Sequence, residues 1–447
     1  MRRTRRVPVR TWTGIAAAVA AVSLVAACGS GNAGDSGEDS DSGDASGETL
    51  VVWFPGKSEA EMALVNDTIV PAFEEETGAQ VEVTFVDWPD LSPKLNAAFA
   101  AGTAPDVIGH GVAATADLAA NERVLDLSSY IDEMDPELRD DISVALEGGE
   151  VGGTPYMVPL IMTARLLVYS GADFTEAGLD PEAPPATWEE VHEAAEQLTV
   201  RDDDQITRSG LLLGSQPIAN QQSFATLLWS NGGDFLNEDG TEAVMNSPEG
   251  VEALQYFADL YQGEDPVDGM LGVEWSALPV GEQPVVAGTA SMQLVSAGAI
   301  VDYQAAAPDR DLRLMPPPAF EGSEPGTFGG PGNGLMINAD SEVPDLAWEF
   351  VASMVEPETN LAYAQELGQL PIHASAIDSD YITSNPALVT AVEALPYAHG
   401  NPNVPGWVQM RDAMGQHLER ALHGEADPAE ALDQSASEVD EIIAAGS

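Results

Sequence analysis

An α/β fold of two lobes is predicted for this chain, each lobe a mostly parallel sheet flanked by helices. Three observations predict it. From Thr49 onward, short β-rich runs alternate with helix-length segments, the pattern that builds parallel strands through right-handed crossovers. Roughly four hundred residues take part, more than one hydrophobic core usually holds. The Gly-rich stretch Gly329-Gly330-Pro331-Gly332-Asn333-Gly334 then interrupts two apolar runs, where unusual dihedrals and close backbone approach are tolerated.

The chain opens with a basic leader, Arg2, Arg3, Arg5, Arg6 and Arg10, and an apolar stretch over 15–27 that is too short to span a bilayer comfortably. It ends in Leu24-Val25-Ala26-Ala27-Cys28, which resembles the lipobox of bacterial lipoproteins. That resemblance implies a leader (1–27) that is cut off and a Cys28 thiol that is acylated. The only cysteine of the chain cannot form an intramolecular disulfide. Residues 29–47 carry Gly, Ser, Asp and Glu with no large apolar side chain, so residues 28–48 are expected to be a disordered tether.

Thr49-Leu50-Val51-Val52-Trp53-Phe54 is a buried strand stopped by Pro55-Gly56; Ser58 caps a helix to Glu76, with Gly78 at its end. A strand over 80–86, a helix over 91–101 and a strand over 106–108 complete the first α/β unit. Ligands of such sheets usually bind at the strands' carboxyl ends. The second unit has extended segments at 156–160 and 165–169, and a helix over 188–198 capped by Thr187. A strand at 210–213, helices at 221–229, 248–261 and around 276–287, and a strand at 290–295 follow. Beyond the Gly-rich break come a strand at 335–337 and helices at 344–355, 357–367, 386–395, 405–423 and 427–445.

Charge excludes several functions. The net charge of −58 becomes −63 without the five leader arginines, and Lys57 and Lys94 are the only lysines, so nucleic acid is not an expected partner. Glu74-Glu75-Glu76 and Asp202-Asp203-Asp204 are consecutive runs without the spacing that wraps a cation, and the six histidines lie far apart, so neither a metal nor another cofactor is expected. The G-x-G-x-x-G match at residues 29–34 has neither the preceding strand nor the following helix of a dinucleotide site. No G-x-S-x-G elbow, Walker lysine or Cys-His pair is present, so an enzyme is not expected.

Several ordered segments resemble the extracellular solute-binding proteins of ABC importers, in particular the carbohydrate-binding branch that includes maltose-binding protein. They are Gly102-Thr103-Ala104-Pro105-Asp106-Val107, Leu125-Asp126-Leu127, Ala177-Gly178-Leu179-Asp180 with Ala186-Thr187-Trp188-Glu189-Glu190, Asn231-Gly232-Gly233, and Gly288-Thr289-Ala290-Ser291-Met292. Each is weak alone; their order carries the resemblance, from about Thr49 to Ala445. It implies a two-lobed periplasmic-binding-protein-like fold of type II, divided into 49–160 plus 332–372 and 161–331 plus 373–447. It also implies a monomer anchored to the outer face of the cytoplasmic membrane, closing around a sugar and delivering it to permease subunits.

Sugars present apolar C–H faces ringed by hydroxyls, so aromatic plates and side chains with both donors and acceptors are sought on cleft-facing loops. The resemblance points to Trp407 as a stacking plate, Arg411 one turn on, and Gln222 beside Asn220 and Gln221. Position in the strand-to-helix loops adds Lys57, Trp88 and His110. Trp275 is expected to line the second lobe and Gly330 to approach the ligand through its backbone. Thr163 replaces an acidic residue of maltose-binding protein, and Ser296-Ala297-Gly298 replaces a tryptophan segment, so the sugar is left open. Alternatives are a glycoside hydrolase and a binder of a non-sugar solute.

Overall fold

The computed structural model describes residues 47–446 apart from Asp204 and Ser215; the leader, Cys28 and the tether as far as Ser46 lie outside them. The first lobe starts with β1 (Thr49–Pro55), α1 (Glu59–Leu64), a π-helical turn (Val65–Ile69) and α2 (Val70–Thr77). Ser58 caps as expected, its Oγ accepting the Glu61 N–H at 3.3 Å. The single expected helix is widened in its middle because Pro71 lacks an N–H and would crowd the carbonyl four residues back. Next come β2 (Gln80–Val86), α3 (Trp88–Ala101), β3 (Val107–Gly111) and β4 (Val158–Pro159). Helix α3 begins three residues earlier than expected because the Asp87 carboxylate caps it and Pro89 suits its first turn.

The second lobe is built from β5 (Met162–Ser170), α4 (Trp188–Leu198), β6 (Val200–Asp202), β7 (Gln205–Leu212), α5 (Pro217–Ser230), α6 (Pro248–Gln262), β8 (Ala290–Ser296), β9 (Leu312–Leu314) and β10 (Thr327–Pro331). Strand β11 (Asn333–Ile337) returns to the first sheet, followed by α7 (Pro344–Val355) and α8 (Pro357–Glu366). A short β12 (Ala398–His399) and two long helices, α9 (Trp407–Leu422) and α10 (Pro428–Gly446), end the chain. The helix expected around 276–287 is instead two 3₁₀ turns and one α-helical turn at Pro284–Ala287, because Pro279 and Pro284 deny it continuity.

The first sheet has the order β2-β1-β3-β11-β4, with β1 parallel to both neighbours and β11 antiparallel to β3. The second runs β12-β10-β5-β8-β7-β6, with β9 also pairing β5; it is mixed, since β5 opposes both β10 and β8. Phe54 and Phe73 pack edge-on against Phe350 in one core, and Trp188, Phe224, Phe257 and Met414 fill the other.

Three distant chain segments meet at Met162. It pairs with Pro331 of β10 and exchanges backbone hydrogen bonds with Leu370. Beside them the backbone is packed so tightly that a Cβ on Gly298 would lie 1.5 Å from the Gly368 carbonyl oxygen.

Candidate functional site

At the carboxyl ends of β1, β2 and β3, three of the expected residues gather. Lys57 pairs with Asp87 (Nζ–Oδ2 2.7 Å), which at the same time caps α3. The lysine's hydrogen bond is the main cause holding the Asp87 carboxyl below its usual range, and Lys57 is correspondingly raised. Trp88 opens α3 rather than sitting in a loop, and remains 49% exposed. Its indole meets the His110 ring edge-on, with centroids 6.2 Å apart.

His110 is neutral in this setting. Its Nδ1 accepts the Gly111 N–H at 2.9 Å, and Nε2 lies 3.2 Å from Ser92 Oγ, so the ring proton belongs on Nε2. Burial, reinforced by the positive charge of Arg411, pushes His110 down to about 4. Arg411 lies on α9, whose apolar face packs in the second core. It is pinned to Asp412 at 2.8 Å.

Two hydrogen bonds tie the segment before α9 to the first lobe. Gly406 donates its N–H to Asp117 Oδ1 at 2.6 Å, and Asn403 Nδ2 donates to the Glu150 carbonyl. At the crossing, Thr163 donates to the Gly330 carbonyl at 3.3 Å. Gly330 sits at φ +84°, where a side chain is strained although space is open around it.

On α5, Gln221 is fully buried and, among the described residues, neither of its amide atoms has a hydrogen-bond partner, nor does the buried Gln222 Oε1. Buried polar atoms are rarely left so, and an amide offers both a donor and an acceptor. Asn220 instead fills space against Gly214.

Two expectations are corrected. Trp407 is not an open plate: it is fully buried in the second core, edge-on to Phe235 with centroids 5.4 Å apart, because the 407/410/414/418 stripe of α9 faces inward. Among the described residues its indole N–H has no hydrogen-bond partner. Trp275 is likewise buried, in a small cluster with Leu212 and Ala290, where the 3₁₀ turn directs it beneath β7 and β8 rather than along a wall.

The sequence reading missed Asp117 and Arg165. An arginine inside the apolar run Met162-Thr163-Ala164-Arg165-Leu166-Leu167, in a chain so poor in cations, was the available signal for the second. Nothing local marks Asp117. Among the described residues no group of three or more His, Cys, Asp or Glu side chains is placed to hold a metal, and no helix is long and apolar enough to cross a membrane.

Comparison with known proteins agrees with this architecture. The family described as "Bacterial extracellular solute-binding protein" matches residues 56–361. A putative binding protein of Brucella abortus is 24% identical over 381 residues, covering 84% of this chain and 89% of the relative. The sn-glycerol-3-phosphate-binding periplasmic protein of Escherichia coli K12 is 24% identical over 372 residues, covering 78% of this chain and 81% of the relative. The crystal structure of the cyclic alpha-maltosyl-1,6-maltose binding protein from Arthrobacter globiformis is 27% identical with a TM-score of 0.74, covering 89% of this chain and 99% of that one.

Proposed function

The chain belongs to the family of bacterial extracellular solute-binding proteins, and on that premise we propose that it captures a sugar or oligosaccharide between its lobes and passes it on unaltered. The recipient is the permease pair of an ABC importer. Acyl chains on Cys28 hold the protein, as a monomer, on the outer face of the cytoplasmic membrane. The lobes divide at 160/161, 331/332 and 372/373.

The observation that carries the reading is the buried, unpartnered amide of Gln221, with Gln222 beside it, on the helix above the crossing strands. Hydroxyl groups match an amide's donor and acceptor together, which a purely anionic or purely cationic solute does not. Trp88 supplies an exposed apolar plate on the opposite lobe, with neutral His110 behind it. The relative from Arthrobacter globiformis, named for a cyclic maltosyl-maltose, and the one from Escherichia coli, named for sn-glycerol 3-phosphate, both bind hydroxylated solutes.

Closure is a shift between conformations, driven only by contacts that the ligand makes better in one of them. The Asp117–Gly406 bond would add a protein contact to those of the ligand in the closed form. The test is a thermal-shift screen of the full chain against mono- and oligosaccharides, since a ligand of the folded state raises its melting temperature by mass action. A sugar that raises the melting point, and does so no longer after Trp88→Ala, supports the proposal; silence across the screen, or a sugar cleaved during it, ends it.

A further inference from the structure

Strand β5 carries an arginine whose surroundings differ from those of the other described arginines. Arg208 and Arg310 share the buried Asp173, Arg313 holds Glu182 and Asp311, and Arg411 holds Asp412. Arg139 faces Asp132, Arg201 and Arg420 donate to oxygens of Pro266 and Gln434, and Arg123 lies over the Phe99 ring. Arg165 is half-buried, and among the described residues its guanidinium has no hydrogen bond and no ion pair.

Along β5, side chains alternate: Ala164, Leu166 and Val168 join one core, while Leu167 and Tyr169 join the other, together with Phe224, Ala225 and Leu228 of α5. Alternation sets Arg165 and Thr163 on the same face of β5 as Leu167 and Tyr169. Directly across the ladder lies Ser296, whose hydroxyl bonds Gln369 at 3.2 Å. Arg165, Ser296 and Gln369 thus stand together, with Thr163 two residues earlier on the same face of β5. Burial lowers Arg165 to about 10, and Tyr303 is the titratable neighbour that opposes the shift.

We propose that Arg165 is a ligand contact and that the captured sugar carries an anionic group, a carboxylate or a phosphate, which pairs with its guanidinium. This rests on the capture of a sugar proposed above and narrows it. A guanidinium is a rigid fork matched to two oxygens of either group, and a half-buried one without a counter-charge gains most from a ligand that brings one. Lys57 and Arg411 are already neutralised by Asp87 and Asp412, so the anion's partner is Arg165. The strongly negative chain repels anions at long range, so recognition depends on this local cation rather than on steering.

Isothermal titration of the full chain with glucose, galactose and mannose, their uronates and their 6-phosphates tests the proposal. An acidic member is expected to bind about 10-fold or more tighter than its neutral parent, with affinity falling as salt rises. Whether uronates or phosphates win identifies the source of the anion. Arg165→Gln should erase the preference while leaving the unliganded melting temperature unchanged or higher, and Arg165→Lys should keep part of it. Neutral sugars binding as well as acidic ones, or an acidic preference that survives Arg165→Gln, overturns this inference alone. Absence of binding by every sugar, neutral and acidic, overturns the capture reading along with it.

Discussion

The backbone N–H of Gly406 and the carboxylate of Asp117 lie 2.6 Å apart, and they belong to different lobes. Gly406 immediately precedes α9, so the bond fixes the start of that helix against the first lobe. A charge-assisted bond of this kind contributes about 1.5–3 kcal/mol, enough to shift a two-state balance noticeably. Asp117→Ala is therefore expected to weaken ligand binding by roughly 10-fold, mainly through faster release. Stopped-flow fluorescence would read both rates, and an unchanged release rate would show that the bond does not hold the lobes together.

Two tryptophans should separate cleanly. Trp88 is half-exposed and touches only the rim of the first lobe, so Trp88→Ala should leave the melting temperature nearly unchanged while removing most of the sugar-induced shift. Trp407 is fully buried against Phe235, so Trp407→Ala should cost about 3–5 kcal/mol of folding stability. Urea denaturation of both variants without ligand decides this; a stable Trp407 variant would return that ring to the cleft.

His110 makes stability depend on pH in a defined window. Because the folded state holds it near 4 while a free histidine titrates near 6.5, the unfolded chain binds a proton first as pH falls. Its contribution is complete above about pH 6.5 and is lost as pH drops through the folded value. The difference in unfolding free energy between wild type and His110→Asn should change over that interval and be flat above it. A difference that stays constant from neutral pH to pH 4 would mean the imidazole is not kept neutral by its surroundings.

Asp173 ties three elements of the second lobe together. Arg310 approaches it with two nitrogens, at 2.8 and 3.2 Å; Arg208 reaches it at 3.3 Å and the Ser291 hydroxyl at 2.9 Å. Removing the carboxylate would leave two largely buried guanidinium groups facing each other, a loss of about 3–5 kcal/mol. Asp173→Ala should lower the melting temperature strongly, whereas Glu176→Ala, which removes only an exposed partner of Arg208, should not. Equal effects of the two substitutions would contradict this ranking.

Much of the architecture is written in local order. The Thr187 cap with its Glu190 partner, the Ser58 cap and the Gly78 stop appear where the sequence places them, because each depends on neighbours a few residues away. The breaks that the sequence reading missed are also local, and prolines cause them: Pro71 widens one helix, while Pro279 and Pro284 dissolve another. That Lys57, Trp88 and His110 share one edge was legible for the same reason, since parallel pairing of β1, β2 and β3 brings their carboxyl ends together, although Trp88 opens α3 and His110 lies within β3.

What a side chain faces was not legible, because it is decided by elements far away in the chain. Trp407 reads as a plate in its own segment, yet Phe235, more than a hundred residues earlier, helps make it core. Arg165 looks like an ordinary strand residue until β8 and the segment at Gln369 place Ser296 and Gln369 beside it and leave it without a carboxylate among the described residues. Sequence alone determined the alternation of strands and helices, the family and the rim of the first lobe, since hydrophobic period and caps act at short range. Tertiary structure decided which polar groups stay unsatisfied and which lobe each one faces, since pairing and burial are set by contacts between distant segments.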